Sequence, residues 1–305
     1  MITVIIAGLV LGSLYAIVAL GYTMVYGIIE LINFAHGDVF TFGVFVSTGV
    51  VTKFVDQNAL QIDTWTSIYA IGLSMLFAAA VCGALGVLIE RVAYRPLRNA
   101  PRLAPLITAI GVSLILENAM SQYWGGADFT YPRAILETRY PFLGTTITNV
   151  DIVVAVAAWG MMIALDLFVN RTRAGKAMRA VAQDREAAAM MGIDVNRIIS
   201  LTFLIGSALA GAGAVLYGID INGMSYTTGF TLGLFAFTSA VLGGIGNIRG
   251  AVLGGLIIGL VYTYVSYLSG GVGTAWVETA IFSVLVIILV FRPAGILGAN
   301  TAEKV

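Results

Sequence analysis

The chain has 305 residues, of which 59% are hydrophobic and 10% are charged, and its formal net charge is zero. A soluble domain carries roughly 25% charged residues, so this composition excludes a water-soluble globular protein. It also gives no indication of nucleic-acid binding. Long apolar runs indicate membrane-spanning helices, and we expect an all-α polytopic fold in which residues 1–305 form a single transmembrane domain.

Nine apolar segments follow one another along the chain, which predicts about nine spans within a range of eight to ten. They lie at roughly 2–24, 37–55, 66–90, 103–123, 150–169, 198–218, 229–247, 251–268 and 274–291. The seventh and eighth are separated only by a glycine-rich run. We interpret this run as a helix break at Gly243, Gly244, Gly246 and Gly250. Either both segments cross the membrane fully or one of them is re-entrant.

Basic residues are concentrated on one side of the predicted spans. Thirteen of the 16 fall there: Arg91, Arg95, Arg98, Arg102, Arg171, Arg173, Lys176, Arg179, Arg185, Arg197, Arg249, Arg292 and Lys304. Because lysine and arginine favour the cytoplasmic side, we expect the N-terminus outside and the C-terminus in the cytoplasm. The sizeable external segment is then residues 123–149, an ordered loop with or without a short helix.

The longest charged interval, residues 170–197, is predicted to be a cytoplasmic loop. Thr172 can cap a helix there, and small or apolar residues recur at spacings of three and four. Gly192 can end this helix, and Asp194 can cap the next one. The pattern predicts a helix over residues 174–191 that is suited to docking against another protein. A helix lying on anionic lipid is the alternative.

A polar junction connects the first two predicted spans. Polar and ionisable groups are costly within lipid, so these side chains should face protein or a water-filled path. Together with two residues of the fourth segment, the candidates for a translocation path are Tyr22, Tyr26, Asn33, His36, Asp38, Glu117 and Asn118. The alternative is structural: Asn33 and Asp38 cap helices, and His36 binds a backbone carbonyl. Asp166, near the end of the fifth span, is expected to pair with Arg171 or Arg173.

The sequence motifs of catalysis are absent. The chain has no GxxxxGK[ST] phosphate loop, no metal-ligand spacing of His, Cys and carboxylates, and no nucleophile–base pair at a recognisable spacing. We therefore predict a protein that is not an enzyme, with no catalytic residues, no metal and no cofactor of its own.

Several stretches carry a family resemblance. Glu186-Ala187-Ala188 followed by Gly192 resembles the EAA-xxx-G loop of ABC-importer permeases. GYTMVYGIIELINFAHGDVF (21–40), AYRPLRNAPRLAPLITAIGVSLILEN (93–118) and VLGGIGNIRGAVLGG (241–255) look like the permeases of branched-chain amino-acid importers, the LivH-like membrane subunits. The similarity extends over essentially the whole chain. Residues 202–205, Thr-Phe-Leu-Ile, replace the usual Ile-x-Leu-Pro continuation, which favours the larger permease fold shared with ribose-type sugar permeases.

The resemblance implies a set of partners and roles. A second related permease would form a heterodimer with this chain in the bacterial inner membrane. Two cytosolic subunits would bind ATP and Mg²⁺, and a periplasmic or lipid-anchored protein would bind the substrate. Coupling to the ATPases would involve Arg179, Asp184, Glu186, Ala187, Ala188 and Gly192.

The substrate and the transport mechanism are open at this point. Leu, Ile or Val is the expected cargo, and urea, short amides or a sugar is the alternative within the same class. A stand-alone ion-coupled carrier is the main alternative from another class, and a structural membrane protein is a third.

Overall fold

The computed structural model describes residues 1–55, 63–98, 100–101, 103–142, 144–268 and 273–298. These residues form helices and one two-stranded hairpin. The helices are α1 (Ile2–Ile29), α2 (His36–Phe54), α3 (Thr64–Ile89), α4 (Leu103–Trp124), α5 (Asn149–Arg171), α6 (Arg173–Gln183), α7 (Arg185–Met190), α8 (Val195–Ile221), α9 (Thr228–Gly243), α10 (Ile248–Leu268) and α11 (Val277–Phe291). A π-helical turn, Glu90–Tyr94, and a 3₁₀ turn, Arg95–Leu97, extend α3, and a 3₁₀ turn, Gly273–Trp276, precedes α11.

All nine predicted apolar segments are helical in the structure. Within the part of the chain that the structure describes, seven helical segments are long and apolar enough to cross a membrane, and α2 and α9 are not among them. Helix α9 has 16 residues, which at 1.5 Å per residue extend about 24 Å, less than the ~30 Å hydrocarbon core. The count of nine spans stays a prediction.

Helix α1 lies at the centre of the fold. Its residues 10–25 are all buried, and it packs against α10, α8, α9 and α5. The approach to α10 is close: a Cβ added to Gly255 would lie 2.6 Å from the Ala16 Cα, and one added to Gly12 would lie 2.8 Å from the Leu256 Cα. Helices in lipid associate through such small residues, so glycines in α1 and α10 determine how close the two axes come.

The break between α9 and α10 occurs at residues 244–247. Gly244 and Gly246 have φ angles of 106° and 89°, which favour glycine. Gly243 is the last residue of α9. The prediction that Gly250 belongs to the break was wrong: it lies in the first turn of α10, where the absence of a side chain allows contact with Gly243.

The chain after α11 folds back onto this break. The backbone N–H groups of Ile296 and Leu297 donate hydrogen bonds of 2.9 Å to the carbonyls of Leu242 and Gly243. The Asn247 side chain donates to the Leu297 carbonyl at 2.8 Å. The last carbonyl groups of a helix have no partner within the helix, so this segment satisfies the C-terminal end of α9.

The segment between α4 and α5 contains strands where the sequence allowed a short helix. Strands β1 (Arg139–Phe142) and β2 (Thr145–Thr148) pair in antiparallel register. Tyr131 is buried, and its hydroxyl hydrogen-bonds the Ser47 hydroxyl of α2 at 2.9 Å. Burial raises the pKa of Tyr131 to about 12, and the Ser47 hydrogen bond acts against that shift. The loop is therefore anchored to the bundle by a neutral phenol.

Candidate functional site

Residues 172–194 form two helices, whereas the sequence predicted one helix over 174–191. Asp184 adopts an extended backbone with φ −159° and ψ 111°. Its carboxylate accepts hydrogen bonds of 2.9 and 3.0 Å from the backbone N–H groups of Glu186 and Ala187. Asp184 thus ends α6 and caps α7. The single-helix prediction was wrong because an aspartate satisfies free N–H groups at a helix start better than it serves a helix interior.

Both ends of this α6–α7 segment (residues 172–194) have well-defined caps. The Thr172 hydroxyl accepts from the Gly175 N–H at 3.0 Å, and the Asp194 carboxylate accepts from the Arg197 N–H at 3.1 Å. Gly192 has φ 84° and turns the chain from α7 into α8. Local hydrogen bonds and one left-handed glycine therefore set the angle at which the segment leaves the membrane-spanning helices.

The α6–α7 segment has an inner and an outer face. Met178, Val181 and Ala188 are buried against the bundle. On the outer side, Met190 and Met191 are 82% and 83% exposed, and Glu186 is also exposed. Two adjacent, nearly fully exposed methionines form an apolar spot suited to a protein partner. The predicted site residues did not include these methionines, although the Ala/Met-rich composition pointed to them.

Two arginines attach the segment to the ends of the bundle helices. The Arg179 guanidinium donates a hydrogen bond to the Val169 carbonyl near the end of α5. The Arg185 guanidinium donates to the Ile28 carbonyl at the end of α1, at 2.8 Å. A cavity of about 470 Å³ lies beside Arg185 and is also lined by residues 28–31 and Arg98. The α6–α7 segment therefore contacts both α1, the central helix, and α5, the helix that precedes the segment in the chain.

An ion network around a buried carboxylate lies at the same end of the molecule. The side chain of Glu90 has no exposed area and pairs with Arg95 at 3.2 Å and with Arg98. The Ser200 hydroxyl of α8 donates to Glu90 Oε2 at 2.7 Å and accepts from Arg95 at 2.9 Å. The Arg98 guanidinium donates to the Asn196 side-chain carbonyl at 2.6 Å. The network therefore links α8 to the turn after α3.

Sequence reasoning missed this network, since it treated Arg95 and Arg98 only as basic loop residues. Burial lowers the pKa of Arg98, and the neighbouring Glu90 carboxylate acts in the opposite direction. The signal in the sequence was an acidic residue directly before the basic run, spaced five and eight positions from its two partners.

The polar junction between α1 and α2 is buried in the bundle. The Tyr22 and His36 rings meet edge to face with centroids 5.0 Å apart, and Asp38 Oδ2 accepts a hydrogen bond from Ser113 of α4. Several buried polar atoms of the described residues have no hydrogen-bond partner here: Tyr22 Oη, Thr23 Oγ1, His36 Nε2, Asp38 Oδ1, Thr41 Oγ1 and Thr238 Oγ1. Buried polar groups without partners are costly, so this cluster is a candidate for a functional role.

For Asn33 and Asp38, the capping alternative was wrong. The N-cap of α2 is Ala35, with no side-chain hydrogen bond, and Asn33 accepts a 3.0 Å hydrogen bond from the Tyr94 hydroxyl instead. Of the seven predicted path residues, the structure brings together Tyr22, His36 and Asp38.

Of the remaining path candidates, Tyr26 and Glu117 lie beside this cluster and Asn118 lies apart from it. Tyr26 is half-buried beside a cavity of about 10 Å³ that Tyr22 also lines. Glu117 is half-buried one turn beyond Ser113. Asn118 is exposed, and its side chain donates to the Leu114 carbonyl at 2.7 Å.

The charged residues at the ends of α5 and α10 pair differently from the prediction. Asp166 pairs with Arg249 at 3.6 Å and accepts from Asn170 at 3.0 Å, so its predicted pairing with Arg171 or Arg173 was wrong. The predicted cytoplasmic residues Arg102 and Lys304 lie outside the described residues. In the portion of the chain that the structure describes, no group of three or more His, Cys, Asp or Glu residues is arranged to hold a metal ion.

Comparison with known proteins identifies the family. Residues 4–291 match the model for the branched-chain amino acid transport system permease component. The chain belongs to this permease family. It is 42% identical over 307 residues to the high-affinity branched-chain amino acid transport system permease protein BraD of Pseudomonas aeruginosa, covering 98% of this chain and 96% of that protein. LivH of Escherichia coli K12, of the same description, is 41% identical over 303 residues with the same coverage.

A more distant relative is the fructose import permease protein FruG of Bifidobacterium longum. It is 24% identical over 278 residues, covering 87% of this chain and 79% of that protein. The permease family assignment and the seven apolar helices make this chain a multi-pass membrane component of a transport system.

Proposed function

We propose that this chain is a permease subunit of an ATP-driven importer that carries Leu, Ile or Val into a bacterial cell. The observation that carries the proposal is identity above 40% over nearly the whole length of two permeases of branched-chain amino acid systems. The subunit would lie in the inner membrane, with the N-terminus outside and the C-terminus in the cytoplasm. A second related permease and an external substrate-binding protein would complete the path.

The α6–α7 segment is the proposed contact with a cytosolic ATPase subunit, which would bind ATP and Mg²⁺. Glu186, Met190 and Met191 supply its exposed face. Ala187 and Ala188 allow α7 to lie close to the bundle. Asp184 and Gly192 fix the two bends, so that a push on α7 passes into the adjoining helices as a rigid displacement. Arg179 ties α6 to the end of α5.

The proposed translocation path lies near the α1–α2 junction. Tyr22, His36 and Asp38 supply polar atoms that the closed bundle leaves without partners, and Glu117 lies on the same side of α4 as Ser113, the partner of Asp38. A path that opens between α2 and α4 would give these groups water or substrate as partners. Polar residues within spans commonly mark such routes.

The decisive experiment is transport by the purified complex in liposomes. With ATP, both permeases, the ATPases and the binding protein, we expect radiolabelled leucine to accumulate, and unlabelled isoleucine and valine to compete. Urea and fructose should not compete. Accumulation without the ATPases would overturn the importer proposal in favour of a stand-alone carrier. Competition by urea or fructose alone would overturn the proposed substrate.

A charge reversal tests the docking face. Glu186→Lys should abolish leucine uptake and the stimulation of ATP hydrolysis, while the protein still inserts into the membrane. Glu278→Lys is the matched control, because Glu278 is also exposed but lies in the first turn of α11. Equal uptake by both variants would contradict the assignment of the α6–α7 segment.

A further inference from the structure

The Glu90 network is charged, its central carboxylate is buried, and the proposed path does not use it. It lies where three parts of the chain meet: the end of α3, the turn at residues 95–98, and the first two turns of α8. The α8 residues involved, Asn196 and Ser200, come directly after the Asp194 cap that ends the α6–α7 segment. A displacement of that segment therefore acts on the start of α8, where these two side chains lie.

Helices α3 and α8 already pack closely without the network. A Cβ on Gly86 would meet the Phe203 carbonyl at 2.9 Å, and one on Gly211 would meet the Cys82 Cβ at 2.8 Å. Small residues thus hold the two helices together along their length. The network makes a different connection. Its arginines belong to the turn after α3 and not to the helix pair itself, so it connects that turn to α8.

That turn leads to α4, which is otherwise sparsely attached. Helix α4 packs mainly against α2 and the π-helical turn, and large apolar side chains on its opposite side, such as Ile107 and Ile115, are both 67% exposed. Arg95 and Arg98 cannot leave Glu90 without stranding a buried carboxylate, which is strongly unfavourable. Ser200 and Asn196 of α8 hydrogen-bond both Glu90 and its two arginines, so these bonds tie the turn to α8.

We infer that Glu90, Arg95, Arg98, Asn196 and Ser200 form a joint that passes the movement of the α6–α7 segment to α4. Asn196 and Ser200 are then positioning residues for transport, since they act on α4 through the two arginines and need not touch substrate. This inference rests on the proposed function, because it takes ATP-driven displacement of the α6–α7 segment as its input. It extends the movement to α4, a helix that is not adjacent in sequence to the α6–α7 segment.

The first test removes the α8 side of the joint and keeps the Glu90 ion pairs. In Asn196→Ala/Ser200→Ala, we expect ATP hydrolysis to continue while leucine uptake per ATP falls roughly tenfold, within the range typical of coupling between distant sites. Thr202→Val is the matched control, because the buried Thr202 hydroxyl bonds only within α8, to the Ile198 carbonyl. The single variant Ser200→Thr keeps the hydroxyl and leaves Asn196 intact, so its uptake per ATP should equal that of the wild type.

The second test measures the movement of α4 directly. The free thiol among the described residues is that of Cys82, which is buried, so spin labels should react with cysteines introduced at exposed Leu114 of α4 and at exposed Val286 of α11, a helix that is not attached to the α6–α7 segment. The distance between the two labels should change between nucleotide-free and ATP-bound complexes of the wild type. It should stay unchanged on ATP binding in Asn196→Ala/Ser200→Ala.

The outcomes separate the two proposals. If the double variant shows the wild-type uptake ratio and also the wild-type ATP-dependent change in label distance, the joint is overturned and the importer proposal stands. No ATP-dependent uptake by the wild-type complex overturns the proposed function and the joint with it. If the double variant does not insert, Ser200→Ala alone is measured in the same way, and an unchanged uptake ratio again overturns the joint.

Discussion

Gly192 allows the bend between α7 and α8 to be tested through backbone conformation alone. Its φ of 84° lies in the left-handed region, and a Cβ added there would meet no atom within 4 Å. A substitution therefore introduces no steric clash with neighbouring side chains. The left-handed conformation costs an L-residue roughly 1–2 kcal/mol, whereas asparagine tolerates it better than other residues.

This difference predicts a graded response. A cost of one to two kcal/mol changes an equilibrium by a factor of about 5–30, so leucine uptake per ATP hydrolysed should fall by about that factor in Gly192→Ala. The β-branched Gly192→Val should lose more, and Gly192→Asn should keep most of the wild-type coupling. The assay is uptake and ATP hydrolysis measured on the same liposomes.

The control for this series is another glycine with free space around it. Gly49 in α2 also has no atom within 4 Å of an added Cβ, but it is helical. Because alanine is favoured over glycine in helices, Gly49→Ala should leave coupling unchanged. Equal losses in Gly192→Asn and Gly192→Val would refute the conformational reasoning, because they would show that side-chain contact or bulk decides the effect.

Three further substitutions test other features. Gly229→Ala would place a Cβ 2.7 Å from two side-chain oxygens of α2, and overpacking of this kind costs about 1–3 kcal/mol, so thermal unfolding in detergent should shift to lower temperature. Met190→Ser/Met191→Ser should reduce co-purification of the ATPase subunits and leave the thermal unfolding temperature unchanged, since both side chains are exposed. Tyr131→Phe removes the hydrogen bond to Ser47 and should lower the free energy of unfolding by about 0.5–1.5 kcal/mol.

Each of these has an outcome that would contradict it. Gly72→Ala, at another helical glycine with no atom within 4 Å of an added Cβ, is the control for Gly229→Ala, and equal unfolding temperatures would argue against tight α2–α9 packing. A drop in the unfolding temperature of the methionine variant would show that these side chains support the fold. An unchanged free energy of unfolding in Tyr131→Phe would mean that the aromatic ring alone anchors the loop between α4 and α5.

Local features of the α6–α7 segment were readable from the sequence because neighbouring residues decide them. A threonine, a glycine and an aspartate at suitable spacing place the caps at Thr172, Gly192 and Asp194, where the structure has them. The capping role of Asp184 was harder to predict, because the same sequence pattern is equally consistent with a solvated aspartate on a helix surface. Only its two hydrogen bonds to the start of α7 reveal the bend.

Contacts between distant parts of the chain could not be predicted from the sequence. Ser200 lies 110 positions from Glu90, and Arg249 lies far from Asp166. Nothing in periodicity or charge pattern selects these partners, so the sequence suggested nearer ones for Asp166. The polar junction is intermediate: the sequence identified Tyr22, His36 and Asp38 as unusual, but not Ser113 on α4 as the partner of Asp38.

The return of the chain from α11 to the end of α9 has a practical consequence for engineering this protein. The backbone N–H groups of residues 296 and 297 give the last carbonyls of α9 hydrogen-bond partners, which backbone groups in an apolar layer must obtain from protein. Removal of these two residues would strand the Leu242 and Gly243 carbonyls. Affinity tags and reporter fusions should therefore be attached beyond Leu297, and C-terminal trimming should stop short of it.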